Sequence, residues 1–230
     1  MRILLVNPPI PASYYNTEFY LPSGLLYLAA VLRDQGEEVL ILEMKTYTSG
    51  SCADSQAVYE GKLQETLLTF KPDLIGMGCL FSGNIPQVLT FSALCKQLSP
   101  QTPIIVGGIH VTIHARDVLQ HCPSIDWLAL GEAEETIVQL VRTLKSGSNA
   151  WDAIDGFAYR TAGQVHVNAK QHYIHDIDQI PFPAYDLVDI EDYYVDTTHW
   201  HNPKHLTFST SIPIVSSRSC PHRCTFCSMY

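Results

Sequence analysis

Basic residues are scarce in this sequence: 14 Lys and Arg stand against 23 Asp and Glu in 230 residues, for a formal net charge of -9. Neutralising a phosphate backbone takes clustered cations, so no nucleic-acid partner is expected over this region. Long apolar runs are also missing. The opening run, Ile3 to Val6, stops at Pro8 and Pro9 and falls far short of the ~20 apolar residues that span a bilayer, or of a signal-peptide core. A soluble, cytoplasmic protein without a membrane partner is the expectation. No GxGxxG follows that first run, which removes the phosphate loop of a dinucleotide-binding fold. No GxxxxGK with a following Ser or Thr is present for a nucleoside triphosphate, and no repeat or low-complexity tract interrupts the chain.

What is present is a strong alternation of short apolar runs and amphipathic stretches. Hydrophobic residues make up 46% and charged residues 16%, enough for one well-packed domain of ordinary size plus a tail. Arg2 to Asn7 is a continuous apolar run, the mark of a strand buried on both faces. A helix follows from Pro22 to a glycine stop at Gly36. Strands are then predicted at 38–43, 73–78, 103–108 and 126–131, and helices at 56–70, 85–98, 115–121 and 132–145. Five strand-helix alternations argue for a five-stranded parallel sheet with helices on both faces and right-handed crossovers. In such a sheet ligands bind at the carboxyl ends of the strands. Those ends carry Asn7, Pro8 and Pro9; Gly78, Cys79, Leu80, Phe81 and Ser82; Gly107, Gly108 and His110; and Gly131 with Glu132. Glycines at strand ends let a ligand approach the backbone, although each taken alone is also what a tight turn requires. His110 is read either as a contact to such a ligand or as a helix-capping or solvent-facing residue. His114 is read as structural or exposed, and the later histidines lack paired ligand spacing.

Seven cysteines, an odd number, fit a reducing compartment better than a disulfide framework. Cys52, Cys79, Cys95 and Cys122 read as buried or idle thiols. Cys220, Cys224 and Cys227 form a CxxxCxxC set. Three thiolates at this spacing can hold three irons of a 4Fe-4S cluster and leave the fourth open for chemistry. Neither the ferredoxin run nor paired zinc knuckles fit this pattern.

The stretch from Ser217 through Cys220 to Cys227 closely resembles the cluster loop of the radical S-adenosylmethionine (SAM) enzymes. The resemblance implies that the open iron chelates SAM and that Phe226 packs near its adenine. Relatives usually have Gly before the first cysteine; this chain has Ser219. The chain stops three residues after Cys227, whereas a barrel of this kind takes about 200 residues to close. The front part of a longer enzyme is therefore expected. The remaining motifs, namely the Asn7-Pro8-Pro9 start, Pro22 to Ala30, Val106 to His110, Gly131 to Thr136 and Ile180 to Tyr185, resemble the flavodoxin-like, Rossmann-like cobalamin-binding domain of cobalamin-dependent radical SAM enzymes.

That resemblance implies cobalamin on the strand-end edge, a 4Fe-4S cluster and SAM as cofactors, a small-molecule substrate, and an electron donor such as a flavodoxin or ferredoxin. It also implies reductive cleavage of SAM to a 5'-deoxyadenosyl radical and methyl transfer from methylcobalamin to the substrate radical. Other cobalamin proteins place a histidine below cobalt from a DxHxxG loop. Asn7, Pro8 and Pro9 stand there instead, so no histidine ligand is expected. Gly78-Cys79-Leu80 takes the place of a Ser-x-Leu contact, with Ser82 as a substitute hydroxyl. Alternative readings are a non-catalytic corrinoid-binding module and a methylthio-transferring radical SAM enzyme acting on RNA.

The expected layout is a cobalamin-binding domain over 1–147, a hairpin and proline-punctuated linker over 148–205, and over 206–230 the first strand and cluster loop of a truncated barrel. Residues 154–167 alternate as a hairpin around Gly163. Leu206 to Ser217 reads as the barrel's first strand.

Overall fold

The structure is a computed structural model that describes residues 1–9, 21–44, 52–193, 212–220, 222 and 224–227, with residues 52–55 described by backbone alone. Among the described residues seven strands form one sheet in the order β2-β1-β3-β4-β5-β6-β7. They are β1 (Arg2–Asn7), β2 (Glu38–Glu43), β3 (Leu74–Gly78), β4 (Ile104–Gly107), β5 (Trp127–Ala129), β6 (Phe157–Thr161) and β7 (Gln164–Asn168). The first five run parallel. Their order, 2-1-3-4-5, is the flavodoxin-like one, in which the winding reverses between β1 and β3.

Strand alternation explains the two cores. Ile3 and Leu5 of β1 face one side, with α1 (Ser23–Asp34) and α6 (Glu134–Ser146). Leu4 and Val6 face the other, with α2 (Cys52–Phe70), α3 (Ile85–Leu98) and α5 (Ala115–His121). Period-two geometry sends neighbours to opposite faces, so a strand covered on both must be apolar throughout. Phe91, Leu63 and Leu26 are fully buried in these layers, and truncating any of them to Ala costs about 2–5 kcal/mol. Local signals agree at the helix ends. Pro86 stands in the first turn of α3, where its missing N–H is harmless. Glu134 and Glu135 open α6, Lys145 stands in its last turn, and Gly147 closes it at φ 67°, each as the helix dipole and the left-handed cap require.

Three features differ from the sequence expectation. The hairpin does not belong to a linker. β6 pairs antiparallel with β5 and β7 with β6, so the sheet is seven-stranded and mixed rather than five-stranded and parallel. Phe157, Ala158 and Tyr159 are all buried, and the ring of Phe157 packs against Trp127 and Trp151; the segment covers what would otherwise be the open edge of β5. A second helix, α4 (Ile109–Ile113), precedes α5, where only a glycine turn is expected. Finally, α2 starts at Cys52, four positions before residue 56.

Beyond β7 the chain runs as a strap with short 3-10 turns at Ile177–Gln179, Tyr185–Leu187 and Ile190–Asp192. Asn168 anchors its start by donating Nδ2 to the carbonyls of Trp151 and Ile154. The strap then lies along α1: Ala184 N donates to Leu26 O at 3.2 Å, and Arg33 pairs with Asp186. Of the expected first barrel strand, residues 206–211 lie outside the described residues; 212–217 are exposed and carry no strand. No described residue there offers the ladder partner a strand requires, and Pro213 removes one donor.

Candidate functional site

The topology brings the carboxyl ends of β1, β3, β4 and β5 to one edge. Between them and α1 lies a cleft of about 760 Å³, at whose strand ends stand Asn7, Gly78, Cys79, Gly107, Gly108 and Glu132. Leu80, Phe81 and Gly131 also line it, and so do Leu21 to Leu25 at the start of α1.

The floor is built from glycines at the ends of β3 and β4, beside the winding reversal. Gly78 and Gly107 are register partners in β3 and β4. Cys79 N donates to Gly107 O at 2.7 Å. Gly108 follows at φ 121°, and a Cβ placed on it would stand 2.6 Å from the carbonyl carbon of Cys79 and nearer still to its oxygen. Only glycine fits there, because both the backbone angle and the approach of the Cys79 peptide exclude a side chain. Cys79 is itself buried beneath the floor, and burial pushes its thiol up to about 11.

A hydroxyl ties two turns together. Thr112 Oγ1 donates to Gly108 O at 2.9 Å and accepts from Gly131 N at 3.0 Å, so the turn after β4 and the turn after β5 share one side chain. Thr112 is not among the residues expected from sequence. Its signal was a threonine four residues after a strand-end glycine, the spacing at which a hydroxyl can bond back to the i−4 carbonyl.

Asn7 has one orientation. Its Nδ2 donates to Glu43 Oε2 at 2.7 Å; a carboxylate only accepts, so the amide nitrogen must face it. Asn7 Oδ1 is then turned toward the end of β3, 4.0 Å from where a Cβ on Gly78 would lie. Tyr193 at the end of the strap donates its hydroxyl to the same Glu43 oxygen at 3.2 Å. Pro8 and Pro9, the next residues, are buried and do not line the cleft.

Ser82 and His110 form a separate pair on the rim, Oγ to Nδ1 at 2.9 Å. The His110 ring packs on His114 with centroids 4.9 Å apart. Desolvation, then His114, holds His110 below the usual histidine range. Leu80 and Phe81 on the same rim are more than half exposed. Glu132 has a partner on each oxygen: Ile174 N donates to Oε2 at 2.8 Å, and Arg218 donates to Oε1 at 3.3 Å.

The cysteine set is arranged otherwise. Cys220 is partly buried, while Cys224, Cys227 and Phe226 are exposed. Among the described residues no three His, Cys, Asp or Glu side chains converge as a metal site. The donor set suits a cluster; the described loop does not gather it. Arg218, two residues before Cys220, does reach the cleft and lines it. Cys79 and Cys95 lie buried in the core, and Cys122 is half-buried. Among the described residues no helix is long and apolar enough to cross a membrane.

The residues present fit a large cofactor laid over the strand ends. The floor lacks Cβ atoms at Gly78, Gly107 and Gly108, the walls are mostly apolar with Asn7, Glu132, Glu134 and Arg218 as polar points among them, and the volume is in the upper part of the range for cofactor pockets.

Comparison with known proteins agrees with this geometry. The B12 binding domain family matches residues 17–141. The chain is 28% identical over 230 residues to an uncharacterized methyltransferase, PH0819, of Pyrococcus horikoshii, covering 99% of this chain and 45% of that protein. It is 30% identical over 230 residues to the anaerobic magnesium-protoporphyrin IX monomethyl ester cyclase of Synechocystis, covering 99% and 42%. The chain thus spans less than half the length of either relative. The cobalamin-dependent S-adenosylmethionine radical enzyme OxsB, solved with aqua-cobalamin bound, superposes with a TM-score of 0.65 at 20% identity, over 83% of this chain and 25% of that one; at that identity the likeness is one of fold.

Proposed function

The chain belongs to the B12-binding domain family, and from that premise we propose that its strand-end cleft holds cobalamin for a radical SAM enzyme of the methyl-transferring kind. The observation that carries the reading is the glycine floor: a Cβ on Gly78 would stand in the cleft 3.9 Å from Leu25 and 4.0 Å from Asn7, on ground that a flat ligand needs and that glycine leaves bare. The similarity to a methyltransferase in Pyrococcus horikoshii supports the choice of methyl transfer.

When bound, cobalamin supplies the methyl group, while a 4Fe-4S cluster and SAM supply the one-electron chemistry. The protein's part is to hold and shield. Gly78, Gly107 and Gly108 offer backbone to the cofactor's face. Asn7, fixed by Glu43, presents an acceptor from the β1 end. Thr112 keeps the β4 and β5 turns in register. Leu80 and Phe81, exposed on the rim, exclude water from the cofactor's edge. We assign Cys220, Cys224 and Cys227 as the cluster ligands and Phe226 as the adenine contact. A small-molecule substrate and an electron donor of the flavodoxin or ferredoxin type complete the proposal.

The test is titration with cobalamin followed by paramagnetic resonance of the bound Co(II) form. The expected result is one equivalent bound, with no nitrogen splitting from a ligand below cobalt. Absence of binding, or a spectrum with nitrogen at that position, overturns it.

A further inference from the structure

The expected roles of the cluster loop leave one of its residues unused. Arg218 is half shielded while residues 212–217 before it are all exposed. Its guanidinium bridges two carboxylates, one on the turn after β5 and one at the start of α6: NH1 to Glu132 Oε1 at 3.3 Å and NH2 to Glu134 Oε1 at 2.5 Å. Its Cζ also lies 5.5 Å from the ring centroid of Tyr27 on α1. Each contact falls on a different element of the cleft wall, and Arg218 itself lines the cleft. A guanidinium forked between two carboxylates and laid on an aromatic face has little freedom left, and a lysine cannot reproduce the geometry.

Two further observations turn this contact into a positioning device. Glu132 uses its other oxygen to accept from Ile174 N of the strap, so one carboxylate holds both the strap and the cluster loop. Ser219, the next residue, sits at φ 68°, a left-handed conformation that a residue with a Cβ adopts only when its surroundings hold it there. The chain is therefore fixed on Arg218 and turned sharply at Ser219 before Cys220.

We propose that Arg218 is the positioning residue that latches the cysteine loop to the wall of the cobalamin cleft, and that the Ser219 turn aims Cys220 from that fixed point. The proposal rests on the reading of the cleft and the cysteine set given above. The Ser219 position is left-handed, and the Arg218 anchor beside it holds a serine there.

The test uses the full chain carrying nitroxides at Cys224 and at Gln120→Cys on α5, with Cys52, Cys122, Cys220 and Cys227 replaced by serine. Pulsed paramagnetic resonance then gives the loop-to-domain distance distribution, and this requires no cluster. One narrow population is expected with Arg218 present, loss of that population in Arg218→Met, and partial retention in Arg218→Lys. Glu134→Ala, which removes one of the two carboxylate partners and keeps the other, is expected to fall between. A narrow, unchanged distribution in Arg218→Met overturns the latch, and so does a broad one with Arg218 intact. Cobalamin titration of the same proteins reads the cleft separately: failure of every protein to bind cobalamin contradicts the proposed function, while the distance comparison still decides the latch.

Discussion

Thr112 shows how much of the site hangs on single polar atoms. Its hydroxyl joins Gly108 O to Gly131 N, and Thr112→Val keeps the shape while leaving both backbone groups without this partner. The expected cost is about 1–2 kcal/mol, seen as a lower urea midpoint together with weaker cobalamin binding; an unchanged midpoint and affinity would count against the bridge. The buried thiols make a pH statement. Burial pushes Cys79 up to about 11 and Cys95 up to about 12, from an ordinary value of 9.0. Between the ordinary value and the raised ones the unfolded chain has released protons that the folded chain still holds. Stability is therefore fully present below about pH 9 and falls as pH rises through the folded values, with a slope of up to about 1.4 kcal/mol per pH unit for each thiol. Urea midpoints at about pH 8 and about pH 10 should show that fall, and Cys95→Ala should reduce it by about half, leaving the contribution of Cys79. A midpoint drop of equal size in Cys95→Ala would assign it to other groups.

The elements differ in how much of them the sequence displays. β1 is legible because Ile3 to Val6 must all be apolar to be buried on two faces. The glycines at 78, 107 and 108 are legible as strand ends, and they do form the floor. The hairpin's strands are legible from their alternation, but not their place: Trp127 meets Tyr159 across 32 positions of chain, and no local pattern announces such a pairing. α4 is hidden because Gly107 and Gly108 signal a turn and the five residues of the helix are too few to show a period. The Arg218 contacts with Glu132 and Glu134 span 86 and 84 positions, so the latch is a property of the fold alone. Arg160 of β6 is another such case. It donates to the carbonyls of Leu119, Cys122, Pro123 and Ile125 at the end of α5 and the loop beyond, tying the hairpin to the helical layer. Arg160→Met removes those donors at nearly constant length; a loss of about 2–3 kcal/mol is expected in urea unfolding, and a change under about 0.5 kcal/mol would show that water replaces the guanidinium freely.

At the scale of the whole molecule, the sheet order places the winding reversal between β1 and β3, the strap crosses α1, and Tyr193 closes the circuit on Glu43 beside Asn7. Cleft, strap and cysteine loop thus meet around one edge, with Glu132 common to all three. If that edge is where cobalamin lies, filling its floor must abolish binding. The measurement is a cobalamin titration of Gly78→Trp, which fills the floor where a Cβ meets no backbone, beside the unaltered chain, with far-ultraviolet circular dichroism confirming that both are folded. The unaltered chain should bind one equivalent and the variant at least about a hundredfold more weakly, a loss of at least ~2.7 kcal/mol. A folded Gly78→Trp protein that binds cobalamin with unchanged affinity would place the cofactor elsewhere and contradict the assignment of this edge.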